Sequence, residues 1–203
     1  MEETALEIVS QVMDLYARID KAVAEFQLRS GLRCPSGCGR CCPTADVRVT
    51  VLEMLPIAHE IFQNHDACAW MDRLAAQPVS GRCILFSEKQ ISDAGHCSFY
   101  TWRPVLCRMF GYAAVRSRTG ANALSVCKYI RQNDPETAAA AMAYAGEAPC
   151  FIHYGARVYA LDPGLGNELM PINTALRRAI ERLGLNYALS DAAPKATILT
   201  PAA

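Results

Sequence analysis

The stretch RCPSGCGRCCP, residues 33–43, determines how the rest of this sequence is interpreted. It contains two prolines, two glycines and four cysteines in eleven residues, and it ends the helical periodicity that precedes it. The cysteines follow the spacing Cys34-x3-Cys38-x2-Cys41-Cys42. Thiolates two or three residues apart in such a loop can converge on one soft cation, whose ~2.3 Å sulfur bonds then organise the backbone. The stretch therefore predicts a metal-binding loop.

Two details of this loop predict its geometry. Gly37 and Gly39 supply the backbone freedom that a tight loop needs. Neighbouring side chains in an extended segment point to opposite faces, so Cys41 and Cys42 can face one ion only if the backbone is sharply bent. The simpler interpretation is that one of them ligates the first site, and the other serves a second site or packs into the core.

Four further cysteines lie in the region 80–127, which is rich in short β-like pieces: Cys83, Cys97, Cys107 and Cys127. The eight thiols could complete two four-ligand sites, or one iron–sulfur cluster and one zinc site. The remaining two, Cys68 and Cys150, are expected to act as small buried hydrophobes, because free cysteine is often buried. His96 is the best candidate for a substitute ligand because it immediately precedes Cys97.

The sequence predicts a globular protein in a reducing compartment. The 203-residue chain is 52% hydrophobic and 20% charged, which is typical of a globular protein. We expect a cytoplasmic location, because the N-terminal region lacks the features of a secretory signal and no window is apolar enough to span a membrane. Ten cysteines there indicate metal or redox chemistry, with structural disulfides as the alternative. Twenty basic and twenty acidic residues argue against nucleic-acid and membrane partners.

The predicted fold class is α+β, with helices packed around a small, irregular cysteine-rich centre that has short antiparallel strands. Helices are expected at 2–29, 51–63, 67–76, 135–145 and from 171 or 174 to 183, with a helical turn at 103–110. Strands are expected at 83–86 and 96–100, in a hairpin around residues 119–122, and after Cys150, where His153 would be a core histidine. We expect one domain over 1–189 and a frayed tail over 190–203.

The first three cysteines also have the spacing of radical S-adenosylmethionine enzymes. Three features argue against a full-barrel enzyme of that class. The loop follows a helix rather than a strand, Arg40 stands where an aromatic residue is usual, and no strand–helix alternation follows.

A stronger resemblance rests on the run C-S-F-Y-T-W-R-P-V-L-C-R, residues 97–108, together with the cysteine loop, the stretch 46–53 and C-I-L-F at 83–86. Over residues 33–130 the chain resembles the CxxCxxCC cysteine-cluster family, described as a zinc- or iron-chelating domain. It departs from the family pattern by having three residues between Cys34 and Cys38. The family's best-known branch includes flagellin lysine N-methylation, is associated with iron–sulfur chemistry and is generally longer than this chain.

The resembling run also contains residues that could tune a metal centre. Arg103 and Arg108 flank Cys107, and a guanidinium near thiolates lowers their pKa and offsets their charge. The alternative is that both arginines pair with surface carboxylates. Nearby aromatic residues are expected to form a hydrophobic cover over the centre: Tyr100, Trp102, Phe110 and Tyr112.

The sequence thus predicts a protein that coordinates zinc or an iron–sulfur cluster through clustered cysteines and contacts a protein partner or protein substrate. One alternative is an iron–sulfur enzyme, either an oxidoreductase or a methyltransferase that uses S-adenosylmethionine on a protein lysine. Another is a metal chaperone or redox sensor. No catalytic residue can be assigned.

Overall fold

The computed structural model describes residues 2–34, 38–44, 46–77, 81–88, 95–116, 118 and 120–189. Its α-helices are α1 (Glu2–Ser30), α2 (Val51–Gln63), α3 (Ala67–Ala75), α4 (Val105–Met109), α5 (Lys128–Asn133), α6 (Pro135–Ala140), α7 (Phe151–Leu161) and α8 (Ile172–Leu189). Its strands are β1 (Arg48–Val49), β2 (Phe86–Ser87), β3 (His96–Cys97), β4 (Ala113–Arg116), β5 (Asn122–Ser125) and β6 (Met170–Pro171). Helices predominate and the strands are short, which confirms the α+β class.

The hydrophobic core lies among α1, α2 and α8. On α1 the buried residues recur at helical spacing and include Val12, Tyr16 and Ile19, so one stripe of the helix faces inward. The central helix is α2, which is buried on nearly all sides and packs along α8. A capping box between Thr50 and Glu53 closes its N-terminus, as the sequence predicts.

The strands form three separate antiparallel pairs: β1 with β6, β2 with β3, and β4 with β5. In the second pair Phe86 lies opposite Cys97. In the third, pairing runs from Ala113 opposite Ser125 to Arg116 opposite Asn122, which confirms the predicted hairpin. Pairs this short cannot form a sheet core, so they act by fixing the loops between helices.

Several predicted boundaries are wrong. Only Phe86 of the stretch 83–86 lies in a strand, because Ile84 turns away and donates its N–H to Asn173 Oδ1 at 2.9 Å. The predicted strand at 96–100 is limited to β3, since a 3₁₀ turn begins at Tyr100. The last helix continues to Leu189, because Tyr187 still packs against Phe62 of α2, with ring centroids 5.1 Å apart.

The predicted strand after Cys150 is also wrong. Cys150 makes one bridge to Ala114, and the chain then forms α7, in which His153 is exposed rather than buried. A short apolar run does not distinguish strand from helix by its periodicity. None of the helices in the described ranges is long and apolar enough to cross a membrane. Gly37 and the tail 190–203 lie outside the described residues.

Candidate metal centre

Seven cysteines line one cavity of about 740 Å³: Cys38, Cys41, Cys42, Cys83, Cys97, Cys107 and Cys127. They come from the cysteine loop, the segment before β2, β3, α4 and the segment before α5. The eighth predicted ligand, Cys34, is exposed, but its thiol interacts electrostatically with those of Cys38, Cys41 and Cys127. The structure therefore brings all eight predicted thiols into one network; that they bind metal stays a prediction.

The Cys41–Cys42 doublet adopts the sharply bent alternative. Residues 40–43 form a turn in which the Cys42 N–H donates to the Gly39 carbonyl at 2.9 Å. Both thiols line the cavity and are hydrogen-bonded to each other. The turn thus lets two consecutive residues contribute to one site.

Gly39 is required for a reason other than the predicted backbone freedom. Its φ is not in the left-handed region, but a Cβ there would lie 2.3 Å from the Gly95 carbonyl oxygen. Gly95, just before β3, does have a left-handed φ of 65°. The close contact between these two backbones holds the cysteine loop against the strand that carries Cys97.

Glu53 connects the core to the helix that carries Cys107. Its Oε2 accepts from the Thr50 N–H at 2.8 Å and from the Thr50 hydroxyl at 2.9 Å. Its Oε1 accepts from the Val105 N–H at 3.0 Å, at the first residue of α4. One buried carboxylate therefore satisfies backbone donors at the start of two helices.

The two arginines of the 97–108 run have different roles. Arg108 is buried and donates to Asp20, to the Thr101 carbonyl and, from Nε at 2.6 Å, to the Arg103 carbonyl. Its guanidinium also lies 4.2 Å from the ring centroid of Tyr16. Arg108 therefore fixes the 3₁₀ turn before α4, and the prediction that it tunes the thiols is wrong. The side chain of its partner Asp20 is 53% exposed, so the alternative, pairing with a surface carboxylate, holds for Arg108 although the arginine itself is buried.

Arg103 does act on the thiols, as predicted. It lines the cavity, and its positive charge favours the thiolate forms of Cys41, Cys97 and Cys107 and so opposes any rise in their pKa. That charge is outweighed at Cys107, where burial raises the pKa. It is outweighed at Cys97 as well, again because of burial.

The remaining thiols differ in how readily they lose a proton. Burial raises the pKa of Cys83 to about 12, and burial together with Cys38 raises that of Cys34 to about 12. The hydrogen bond from the Cys42 thiol lowers the pKa of Cys41 to about 7 and raises that of Cys42. Binding of a cation to these groups would therefore release protons.

The thiols surround the cavity without meeting at a point. Among the residues that the structure describes, no group of three or more Cys, His, Asp or Glu side chains is arranged to hold an ion. His96, the candidate substitute ligand, is not among the residues that line the cavity. The donor set fits a soft metal, and ligation requires the thiols to move closer together.

The two cysteines assigned to the core behave differently. Cys150 is buried, as predicted, with 4% of its surface exposed. Cys68 is exposed, so the prediction for it is wrong. The buried side of α3 is formed by Trp70 and Leu74, one turn apart, and Cys68 does not share that face.

The aromatic cover is confirmed in part. Tyr100 and Phe110 line the cavity and remain 52% and 43% exposed. Trp102 packs instead against Phe99, and Tyr112 is buried. The sequence interpretation did not assign Lys128 and Tyr129 to the site, although both line the cavity beside Arg40. Their only sequence signal is their position directly after Cys127.

The fold and site define a cysteine-rich α+β domain whose thiols surround one cavity. The chain belongs to the CxxCxxCC family, described as "Putative zinc- or iron-chelating domain", whose model matches residues 33–135, just over half of the chain. No curated protein and no solved structure was found to match. Membership in this family supports metal binding in general and leaves the identity of the metal undetermined.

Proposed function

We propose that this protein is an iron–sulfur protein whose cluster is held by the thiols around the cavity. The observation that carries the proposal is that seven cysteines line one open space of about 740 Å³. The proposed ligands are the eight predicted thiols: Cys34, Cys38, Cys41, Cys42, Cys83, Cys97, Cys107 and Cys127. Cys34 is included because its thiol interacts with those of Cys38, Cys41 and Cys127. Cys68 and Cys150 are excluded because Cys68 is exposed on α3 and Cys150 is buried away from that space.

The spread of the thiols favours a cluster over a single zinc ion. Closed zinc sites need four ligands that meet one ion at about 2.0–2.3 Å. A [4Fe–4S] cluster distributes four thiolates over four irons and therefore spans a larger volume. Thiols arranged around a cavity need a smaller inward movement to bind the larger group.

The electrostatic contacts support division of the ligands into two groups. Outside the doublet, Cys34 interacts with Cys38 and Cys127. Cys107 interacts with a different pair, Cys83 and Cys97. Because the Cys41–Cys42 doublet contacts both groups, eight thiols could hold two centres, such as one cluster and one zinc ion.

A second candidate function is catalysis at the cluster, by electron transfer or by methyl transfer from S-adenosylmethionine. It is supported by a cavity larger than a metal centre needs. An iron–sulfur cluster supplies electron transfer and, where one iron lacks a cysteine ligand, a binding position for a substrate. Addition of S-adenosylmethionine should then change the electron paramagnetic resonance spectrum of the reduced protein, and an unchanged spectrum would contradict methyl transfer by this route.

Anaerobic purification followed by iron, sulfide and zinc analysis and a visible spectrum tests the proposal. We expect a brown protein with broad visible absorption and matching amounts of iron and sulfide. A colourless protein with stoichiometric zinc would overturn the iron–sulfur proposal and leave a zinc-binding function. A chain that takes up neither metal would contradict both.

A further inference from the structure

Positive side chains share the thiol-lined cavity. Among the described residues, Arg40, Arg103 and Lys128 line it, together with one carboxylate, that of Asp46. Among the residues that the structure describes, none of these three cations forms an ion pair with a carboxylate. In the described part of the chain, the cavity therefore has three cationic groups and one carboxylate, and none of the three is in an ion pair.

Arg103 is held in a fixed orientation within this group. Its Nε donates to the Tyr100 carbonyl at 2.8 Å, and its Cζ lies 3.3 Å from the centroid of the Tyr100 ring. Its two terminal nitrogens make no hydrogen bond to a described residue. A guanidinium fixed in this way presents two parallel donors, which is the geometry that binds a carboxylate in a bidentate manner.

The other two cations converge on a second ring. Arg40 Cζ lies 5.1 Å and Lys128 Nζ 4.9 Å from the centroid of Tyr129. This arrangement concentrates positive charge beside the cavity and holds both long side chains against an aromatic surface. Tyr100 and Phe110 also leave apolar surface exposed at the cavity, so the site combines cations with aromatic groups.

Balancing the charge of thiolates accounts for only part of this arrangement. Arg103 does act on the thiols of Cys41, Cys97 and Cys107. Charge balance needs proximity alone, whereas Arg103 is also oriented by a hydrogen bond and a ring contact. The cavity volume, about 740 Å³, falls within the range of small-molecule sites, about 300–1,000 Å³. A space of this size can hold a small-molecule ligand.

We propose that the cavity binds a small carboxylate-bearing molecule next to the metal. Arg103 binds the carboxylate, Arg40 and Lys128 add positive charge, and Tyr100 and Phe110 contact the apolar part of the ligand. This inference rests on the proposed metal centre, because the same cavity holds both. The ligand class follows from the three cations, the exposed aromatic rings and the size of the cavity.

Benzoate tests the inference because it joins a carboxylate to an aromatic ring, and benzamide is its neutral counterpart. Calorimetric titration of the metal-loaded protein at constant ionic strength should give one benzoate site, with benzamide at least about tenfold weaker. Arg103→Lys keeps the charge but loses the paired donors, so it should weaken benzoate by about tenfold. The matched control is Arg73→Lys, an arginine 4.0 Å from the Trp70 ring and outside the cavity, which should bind benzoate like the original protein.

Metal content is measured in every variant, so that the two proposals can fail separately. Equal binding of benzoate and benzamide, or undiminished benzoate binding by Arg103→Lys, would overturn the inference. Equal weakening in the Arg73 control would also overturn it. If the original protein holds metal but does not bind benzoate, the inference fails and the metal proposal stands. If it takes up no metal, the proposed function fails and the inference with it.

Discussion

Gly39 and Gly95 make a backbone contact that leaves no room for a side chain on Gly39. A Cβ at that position would lie 2.3 Å from the Gly95 oxygen and 2.9 Å from the His96 nitrogen. Because the atoms in the way belong to the backbone, they cannot rotate aside as a flexible side chain could. The contact joins the cysteine loop to β3, so two groups of thiols depend on it for their relative position.

Gly39→Ala should therefore destabilise the protein by about 2 kcal/mol and weaken metal binding, because the loop must separate from β3. Urea unfolding of the metal-free protein measures the first effect and metal titration the second. The control is Gly155→Ala in α7, where nothing lies within 4 Å of the added Cβ. It should stabilise the helix by about 0.5–1 kcal/mol. Equal stability of Gly39→Ala and the original protein would show that this contact is unimportant.

Replacing Glu53 should destabilise the protein more than replacing Thr50, its partner in the capping box. Thr50→Ala removes one N-cap hydroxyl and should cost about 1 kcal/mol. Glu53→Ala leaves the buried N–H groups of Thr50 and Val105 without their acceptor, at about 1–3 kcal/mol each. Urea unfolding should show the larger loss for Glu53→Ala. A loss no greater than that of Thr50→Ala would contradict the proposed link between α2 and α4.

Arg108→Leu should lower the free energy of unfolding by about 3 kcal/mol, because it leaves the carbonyls of Thr101 and Arg103 without their donor. Arg82→Leu is the matched control, since Arg82 forms a surface ion pair with Glu88 in which both side chains are largely exposed. Its effect should stay within about 1 kcal/mol. Similar thermal midpoints for the two variants would contradict the structural role of Arg108.

The sequence predicted the structure correctly where a local pattern favours a single conformation. The Thr50–Glu53 capping box, the apolar stripe of α1 and the β4–β5 hairpin were all predicted, because caps, periodicity and turns act within a few residues. The cysteine pattern also predicted eight thiol ligands for one or two metal centres, and seven of the eight line a common cavity.

What the sequence could not supply depends on contacts between distant segments. The hydrogen bond from Val105 to Glu53 joins residues that are 52 positions apart in the sequence, and the ion pair of Arg108 with Asp20 joins residues 88 positions apart. No local pattern encodes either contact. The segment after Cys150 was predicted wrongly because its apolar residues suit a strand as well as a helix. Cys68 was predicted wrongly because residue type alone does not say which face of α3 is buried.

Protonation of His59 should make the protein less stable in mild acid. Burial lowers the pKa of His59 in the folded state, outweighing the opposite effect of Glu60, and Nδ1 is hydrogen-bonded to Tyr187 Oη at 2.8 Å. The unfolded chain therefore binds the proton first, so stability present above about pH 6.5 is lost as the pH falls below it. His59→Gln should remove this part of the loss in urea unfolding of the metal-free protein at about pH 7.5 and about pH 5.5.

The control for this measurement is His65→Asn, which removes an exposed histidine. Asparagine suits this position, because His65 has a φ of 57° and asparagine tolerates that region. The His65 variant should keep the pH dependence of the original protein. If His59→Gln also kept this pH dependence, protonation of His59 would not be its source.

Whether the cavity thiols hold the metal is tested by comparing the metal content of Cys107→Ser and Cys41→Ser with that of Cys68→Ser. The first two remove thiols that line the cavity, and the third removes an exposed thiol on α3. After anaerobic purification, Cys107→Ser and Cys41→Ser should lose metal together with stability, because binding of metal contributes to folding. Cys68→Ser should keep the metal content of the original protein. Full metal content in both cavity variants would contradict the claim that these thiols hold the metal.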